Sequence, residues 1–155
     1  MGLLAHLRER TGSPRARFGR ELRAVYLDAR RVATQLRDHA LRVPYPALGT
    51  ELRRLADQAD GQAAILADEL RALAGNPDPS DPVAPRIGHN HWERLTIDLA
   101  DLEFLQRRHT ELALRWDLDF PASAATLVGL KRTTATMAAV IRTMLARSDP
   151  HAAGR

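Results

Sequence analysis

Proline is the residue that most constrains how this sequence folds, because it divides the chain into long stretches that contain none. A proline interrupts a helix and the interior of a sheet, so the stretches between prolines mark the candidate elements. They cover residues 17–43, 47–74, 90–118 and 122–148. Each repeats its apolar residues at helical spacing and none shows sustained strand alternation, so we predict four helices.

The apolar residues of each predicted helix recur in steps of three and four, the pattern of a helix packed in a bundle. In the first helix the seam is Leu22, Val25, Ala29, Val32, Leu36, His39 and Val43. In the second it is Leu48, Leu52, Leu55, Ala59, Gln62, Leu66, Glu69 and Leu73. In the third it is Leu95, Leu102, Leu105, His109, Leu112 and Trp116. In the fourth it is Ser123, Leu127, Leu130, Thr134, Met137, Ile141 and Met144.

Two very short loops and one long proline-rich link connect the predicted helices. Short loops make helices antiparallel, so the chain is expected to form two helical hairpins. The link over 75–89 spans about 50 Å when extended, which exceeds the ~40 Å of one such helix. We therefore predict an all-α four-helix bundle over 17–148, with the hairpins joined by a long crossover. The alternative is a helical bundle in which a flexible link loops back without running along a helix.

A weak internal repeat supports the division into two hairpins. At an offset of 75 residues, Tyr45-Pro46-Ala47 matches Phe120-Pro121-Ala122, and the matched leucines of the following helices stay in register. In the preceding helices Leu27-Asp28 matches Leu102-Glu103. Because alanine and leucine are common in this sequence, their matches alone are weak evidence. The shared prolines and the unbroken register are the stronger evidence for the repeat.

Composition excludes several classes of function. The chain contains no cysteine, which excludes disulfides, thiolate catalysis and iron–sulfur clusters. No apolar run reaches the ~20 residues that span a bilayer, so we expect a cytoplasmic protein without a membrane partner. The segments G-x-S-x-G, P-loop and G-x-G-x-x-G do not occur either.

Arginine is concentrated near the start of the chain. Residues 1–24 contain Arg8, Arg10, Arg15, Arg17, Arg20 and Arg23 against Glu9 and Glu21. We predict a basic arm over 1–16, and a tail over 149–155. The arginines fit a solvated entry into the first helix, and the alternative is phosphate binding by a module that associates with nucleic acid.

Three segments of the chain resemble ferritin-like, rubrerythrin-type bacterial proteins. They are HALRVPYPALGTELRRLADQADGQAAILADELRAL, NHWERLTIDLADLE and FPASAATLVGLKRTTATMAAVIRTMLARSDPHA. The resemblance implies a ferritin-like bundle. In its metal-binding members, the second and fourth helices each carry Glu-x-x-His and the other two each contribute a Glu, which together hold two iron or manganese ions.

This sequence departs from that metal-binding pattern. The Glu-x-x-His positions are Ala59 and Gln62 in the second helix, and Thr134 and Met137 in the fourth. Asp28 and Glu103 match the acidic residues of the first and third helices, but two carboxylates without histidine partners form a poor di-iron site. The resemblance therefore implies the fold with its metal centre lost. We expect Met137 to fill the centre and Gln62 to bond Thr134 or His109.

We accordingly expect a non-catalytic bundle that serves as a structural or protein-interaction module, with no cofactor and with homodimer formation. The alternative is a metal-binding protein or oxidase with a reduced iron or manganese site built on Asp28, Glu103 and His109. His39 and His109 lie on seams, where histidines are usually satisfied core residues. In the segment HNHWE we expect Asn90 to cap the third helix and Trp92 to pack on the bundle end.

Overall fold

The protein is all-helical in a computed structural model, which describes residues 12–148. Its helices are α1 (Pro14–Arg42), α2 (Pro46–Ala72), α3 (His91–Trp116) and α4 (Pro121–Ser148). The described residues contain no strand, so the predicted all-α fold with four helices is confirmed. None of these helices is long and apolar enough to cross a membrane.

The first helix begins earlier than the sequence predicted. Ser13 is its N-cap, because the Ser13 hydroxyl accepts a hydrogen bond from the Ala16 N–H at 3.2 Å. Pro14 then occupies the first turn, where its missing N–H costs nothing. Residues 14–16, which were predicted as part of the basic arm, therefore belong to α1. The remainder of the predicted arm, residues 1–11, and the predicted tail at 149–155 lie outside the described residues.

Bonds between helices fix their directions. Gln35 of α1 bonds Asp98 near the start of α3, and Glu21 of α1 bonds Trp116 at the end of α3. These contacts make α1 and α3 antiparallel. Because the short loop after α1 also turns the chain back, α2 runs antiparallel to α1 and hence parallel to α3.

The fourth helix completes the bundle beside α2 and α3. Glu69, near the end of α2, accepts a hydrogen bond from Ser123 at the start of α4. Gln62, further back in α2, accepts one from Thr134, further along α4. The two helices are therefore antiparallel, and the main contacts run α1–α2, α3–α4, α1–α3 and α2–α4. This arrangement is the hairpin, crossover and hairpin expected from the loop lengths.

The seam residues pack into one continuous core. The largest fully buried side chains are Phe18, Leu22, Leu36, Leu52, Leu55, Leu66, Leu95, Leu102, Leu105, Leu112, Leu127 and Met137. At one end Phe18 stacks on Phe120 with 4.8 Å between ring centroids, and Trp116 lies 5.4 Å from Phe18. The indole N–H of Trp116 donates to Glu21 at 2.9 Å, so this aromatic group is fixed as well as buried.

The crossover lies along α1, and arginines of α1 hold it there. Arg30 donates to the main-chain carbonyls of Asp78, Pro79 and Asp81 at 3.3, 2.6 and 2.8 Å. Arg23 donates to the carbonyl of Asn76 at 3.1 Å. A segment rich in proline has few N–H donors of its own, so its carbonyls need donors from elsewhere. The arginines of α1 supply them, and the segment does not loop back freely.

Candidate functional site

The bundle contains two groups of buried polar side chains, at different levels. The first, the central layer, consists of Gln62, His109, Thr134 and Met137. The second, the α1–α3 cluster, consists of Gln35, His39, Asp98 and Asp101, with Arg31 and Arg86 at its edge. Buried polar groups are the usual candidates for function, and they must find partners inside the protein.

The central layer lies where the ferritin-like resemblance would place metal ligands. The Thr134 hydroxyl donates to Gln62 Oε1 at 3.0 Å, and Gln62 Nε2 donates to Met137 Sδ at 3.4 Å. Ala59 is buried beside them. The predictions that these positions are buried and that Gln62 bonds Thr134 are confirmed. Side chains of these residues fill the layer, and none of the four seam positions carries a carboxylate.

His109 is the titratable member of the central layer. Its side chain is fully buried, and its Nδ1 lies 3.5 Å from Thr134 Oγ1, while its Nε2 finds no hydrogen-bond partner among residues 12–148. Burial lowers the pKa of His109 to about 4, because the imidazolium form would lose its hydration. The ring is therefore neutral near pH 7.

The α1–α3 cluster is centred on a histidine and an aspartate that are both sealed from solvent. His39 is 1% exposed and Asp98 is 0% exposed. Nδ1 of His39 lies 2.9 Å from each carboxyl oxygen of Asp98, and Gln35 Nε2 donates to Asp98 at 2.9 Å. Burial raises the pKa of the Asp98 carboxyl, and the bonds from His39 and Gln35 act against that rise.

The hydrogen bonds of this pair indicate how many protons it holds. His39 Nε2 lies 3.2 Å from the carbonyl oxygen of Arg86, which can only accept, so Nε2 carries a hydrogen. One further proton lies between His39 Nδ1 and the Asp98 carboxyl. Whichever atom holds it, the pair has no net charge, which is the form that a dry interior tolerates.

Asp101 extends the cluster towards the surface and remains ionised. Gln35 donates to it at 3.0 Å, and Arg31 and Arg86 each donate at 2.9 Å. Burial alone would raise its pKa, but these bonds together hold the pKa of Asp101 below its ordinary value. The carboxylate is thus charged and fully partnered.

The cluster as a whole fixes the end of the crossover. Gln35 Oε1 accepts a hydrogen bond from the Arg86 N–H at 2.7 Å, while His39 donates to the Arg86 carbonyl. The Arg86 guanidinium bonds Asp101 in addition. A general base must reach a substrate. The N–H groups of the His39–Asp98 pair instead bond other groups of the same chain. The arrangement therefore positions a segment of the protein.

Sequence reasoning identified His39 but missed Gln35, Asp98 and Asp101. A signal for Asp98 was present, since the α3 seam steps from Leu95 to Leu102 and residue 98 is the missing position between them. A carboxyl at a seam position predicts a buried partner. For Gln35 and Asp101, which flank the seam, no comparable signal existed.

The two acidic candidates for metal binding, Asp28 and Glu103, each have an arginine partner. Asp28 lies 3.7 Å from Arg31, and burial raises its pKa against the pull of Arg31 and Arg108. Glu103 accepts from Arg142 of α4 at 2.7 Å. No hydrogen bond joins Asp28 or Glu103 to the other or to His109 within residues 12–148. In that same range, no three or more acidic or histidine side chains are grouped so that they could hold a metal ion.

The basic residues near the start of the chain are partly engaged within the fold. Arg15 donates to the carbonyls of Ala72 and Leu73, and Arg23 bonds Asn76 and Asp81. Arg17 lies over the ring of Trp116, 5.7 Å from its centroid. Arg8 and Arg10 lie outside the described residues. Arg15, Arg17 and Arg23 thus contact carbonyls, a carboxylate and a ring of the chain itself.

The HNHWE segment forms the start of α3. Asn90 accepts from the Glu93 N–H at 2.8 Å, which confirms the predicted cap, and Glu93 accepts from the His89 N–H at 2.7 Å. The reciprocal bonds stabilise the first turn. Trp92 is 48% exposed at this end of the bundle, and Tyr45 contacts His91 with 5.8 Å between ring centroids.

Comparison with protein-family models and with curated proteins finds no match to this chain. The ferritin-like resemblance is accordingly carried by the residues quoted above.

We predict that His109 makes stability depend on pH. The unfolded chain binds a proton on this histidine near pH 6.5, whereas the folded chain does so only near its lowered pKa of about 4. Stability should therefore fall as pH falls between these values, by about 2 kcal/mol between pH 7.5 and 5. Urea unfolding at both pH values, for the wild type and His109→Leu, measures the effect. A variant with the same loss as the wild type would contradict it.

We also predict strong coupling between His39 and Asp98. His39→Leu alone leaves a buried carboxyl without its partner and should destabilise the fold by about 3–5 kcal/mol. The double variant His39→Leu, Asp98→Leu removes both polar groups and should recover much of that loss. Chemical denaturation of both single variants and the double variant gives the coupling energy. Additive losses would mean that the pair does not act as a unit.

Proposed function

We propose that this protein is a non-catalytic, ferritin-like bundle that serves as a structural or protein-interaction module. The observation that carries the proposal is the Thr134–Gln62–Met137 chain of bonds at the level where the resemblance places metal ligands. The second buried cluster, around His39 and Asp98, is engaged with the chain's own crossover. Neither group presents reactive atoms to a substrate.

The chemistry of the central layer does not fit a pair of iron or manganese ions. Those ions favour carboxylate and imidazole ligands, whereas this layer offers an amide, a hydroxyl and a thioether beside His109. The two acidic candidates, Asp28 and Glu103, each pair with an arginine. An arginine next to a carboxylate competes with a cation for the same oxygens. The side chains present therefore support loss of the metal centre.

Exposed apolar side chains support an interaction role. Leu41, Tyr45, Ile87 and Trp92 are 76, 54, 80 and 48% exposed. They belong to the end of α1, the α1–α2 loop, the end of the crossover and the start of α3, which lie at one end of the bundle. These are four of the nine large apolar side chains that are exposed in the described residues, and such a group at one end favours a protein contact. We assign this end as the contact surface of a homodimer.

The first test concerns metal. The purified protein should bind neither Mn²⁺ nor anaerobic Fe²⁺ with defined stoichiometry in a calorimetric titration, because the Glu-x-x-His positions of the second and fourth helices carry neither a carboxylate nor an imidazole. The Asp28→Ala, Glu103→Ala double variant is the control. Stoichiometric binding that this double variant loses would favour the reduced metal site over the proposal.

The second test concerns the homodimer. Sedimentation equilibrium should show a dimer that weakens about tenfold or more in the Leu41→Ser, Ile87→Ser variant, since both side chains are more than half exposed and both lie in the assigned surface. Leu118→Ser is the matched control, because Leu118 is 95% exposed at the opposite end. A wild-type monomer, or an equal effect of Leu118→Ser, would exclude this surface.

A further inference from the structure

A cleft of about 540 Å³ opens between the start of α1 and the end of α2. Arg15, Arg20 and Arg23 of α1 line it, together with the apolar side chains of Leu73 and Ala74. The volume lies in the range of small-molecule sites. The described residues that line it include no acidic side chain.

Two of the three arginines are held in place by the main chain. Arg15 Nη2 donates to the Ala72 carbonyl at 2.8 Å and its Nε to the Leu73 carbonyl at 3.3 Å. Arg23 Nη1 donates to the Asn76 carbonyl at 3.1 Å. A guanidinium has five N–H donors, so both groups keep donors for a ligand. Groups that are already fixed lose little rotamer entropy when they bind.

The cleft carries a positive charge, and its wall combines arginines with apolar side chains. Three guanidinium groups line it, and Asp81, which pairs with Arg23, offsets one of them. Arginine recognises phosphate through parallel N–H bonds to two oxygens. Leu73 and Ala74 also line the cleft with part of their surface exposed, and they offer a contact for an apolar group. A ligand that suits both sides combines an anion with a small apolar body.

We infer that this cleft binds a small organic phosphate, with the phosphate on Arg15, Arg20 and Arg23 and the organic part on Leu73 and Ala74. The site is independent of the central layer and of the apolar end of the bundle. The same arginines are the ones that a nucleic-acid-binding module would use. The volume of the cleft fits a small molecule better than a duplex.

Phenyl phosphate, inorganic phosphate and phenol are the probes for a calorimetric titration of the full chain at low ionic strength. Phenyl phosphate should bind one molecule per chain and more tightly than inorganic phosphate, while phenol should not bind. Arg20→Gln should weaken phenyl phosphate about tenfold, as expected for loss of a charge-assisted contact. Arg20 is exposed, so the variant should still fold.

Gly19→Glu provides a second variant that preserves the fold. A Cβ at Gly19 would meet no atom within 4 Å, and glutamate favours a helix more than glycine does. The new carboxylate lies on the cleft wall and should abolish binding of phenyl phosphate with no loss of melting temperature. Gly129→Glu is the matched control, since Gly129 is an equally open helical position on α4.

Four outcomes would overturn the inference. They are a wild-type chain that does not bind phenyl phosphate, phenol binding as tightly as phenyl phosphate, unchanged affinity in Gly19→Glu, and equal losses in Gly19→Glu and Gly129→Glu. A duplex oligonucleotide is included as an additional arm. If it binds with a steep salt dependence and phenyl phosphate does not bind, the arginines form a nucleic-acid surface instead.

Discussion

A carboxyl group without any solvent exposure, that of Asp98, sets conditions that three segments of this protein must meet. An isolated buried carboxylate is too costly to keep, so Asp98 needs a proton or a cation beside it and donors on its oxygens. His39 and Gln35, both from α1, provide these. The remaining atoms of the same two side chains bond the main chain of Arg86. One buried carboxyl group and its partners thereby fix α1, α3 and the end of the crossover at a single level.

The crossover then determines the direction of the second hairpin. It leaves α2 near Arg15 and reaches the His39 level at Arg86, so it travels along α1 before α3 begins. Arg23 and Arg30 donate hydrogen bonds to its carbonyls along this path. A link without such donors would leave carbonyls unpaired wherever it was covered, and it would gain little from lying on the bundle. The arginines of α1 thus favour the parallel arrangement of α2 and α3.

Periodicity predicted the helices because each of them buries one stripe, and burial of such a stripe dominates helix stability in proteins. The predicted start of α1 was too late, because Pro14 was interpreted as a helix breaker. Pro14 instead occupies the first turn, and Ser13 is the N-cap of the helix. The polar clusters were predicted only where both partners lie on seams, as for Gln62 and Thr134. Gln35 and Asp101 flank their seams, and their burial depends on how the crossover covers them. That covering is a tertiary feature, which no local pattern encodes.

The contact between Gln62 and Met137 gives the internal repeat a physical meaning. These residues are 75 positions apart, which is the offset at which the two hairpins match in sequence. When two similar hairpins pack about an approximate two-fold axis, equivalent residues near that axis meet one another, while equivalent residues far from it do not. Asp28 and Glu103 share the same offset, yet each is partly exposed and has an arginine partner of its own.

In the central layer, by contrast, two equivalent positions of the repeat are in contact and carry different side chains, an amide donor and a sulfur acceptor. A symmetric pair of ligating side chains at that axis would offer the same groups from both hairpins. The unlike pair instead satisfies the Gln62 amide within the chain and leaves no repeated ligand set.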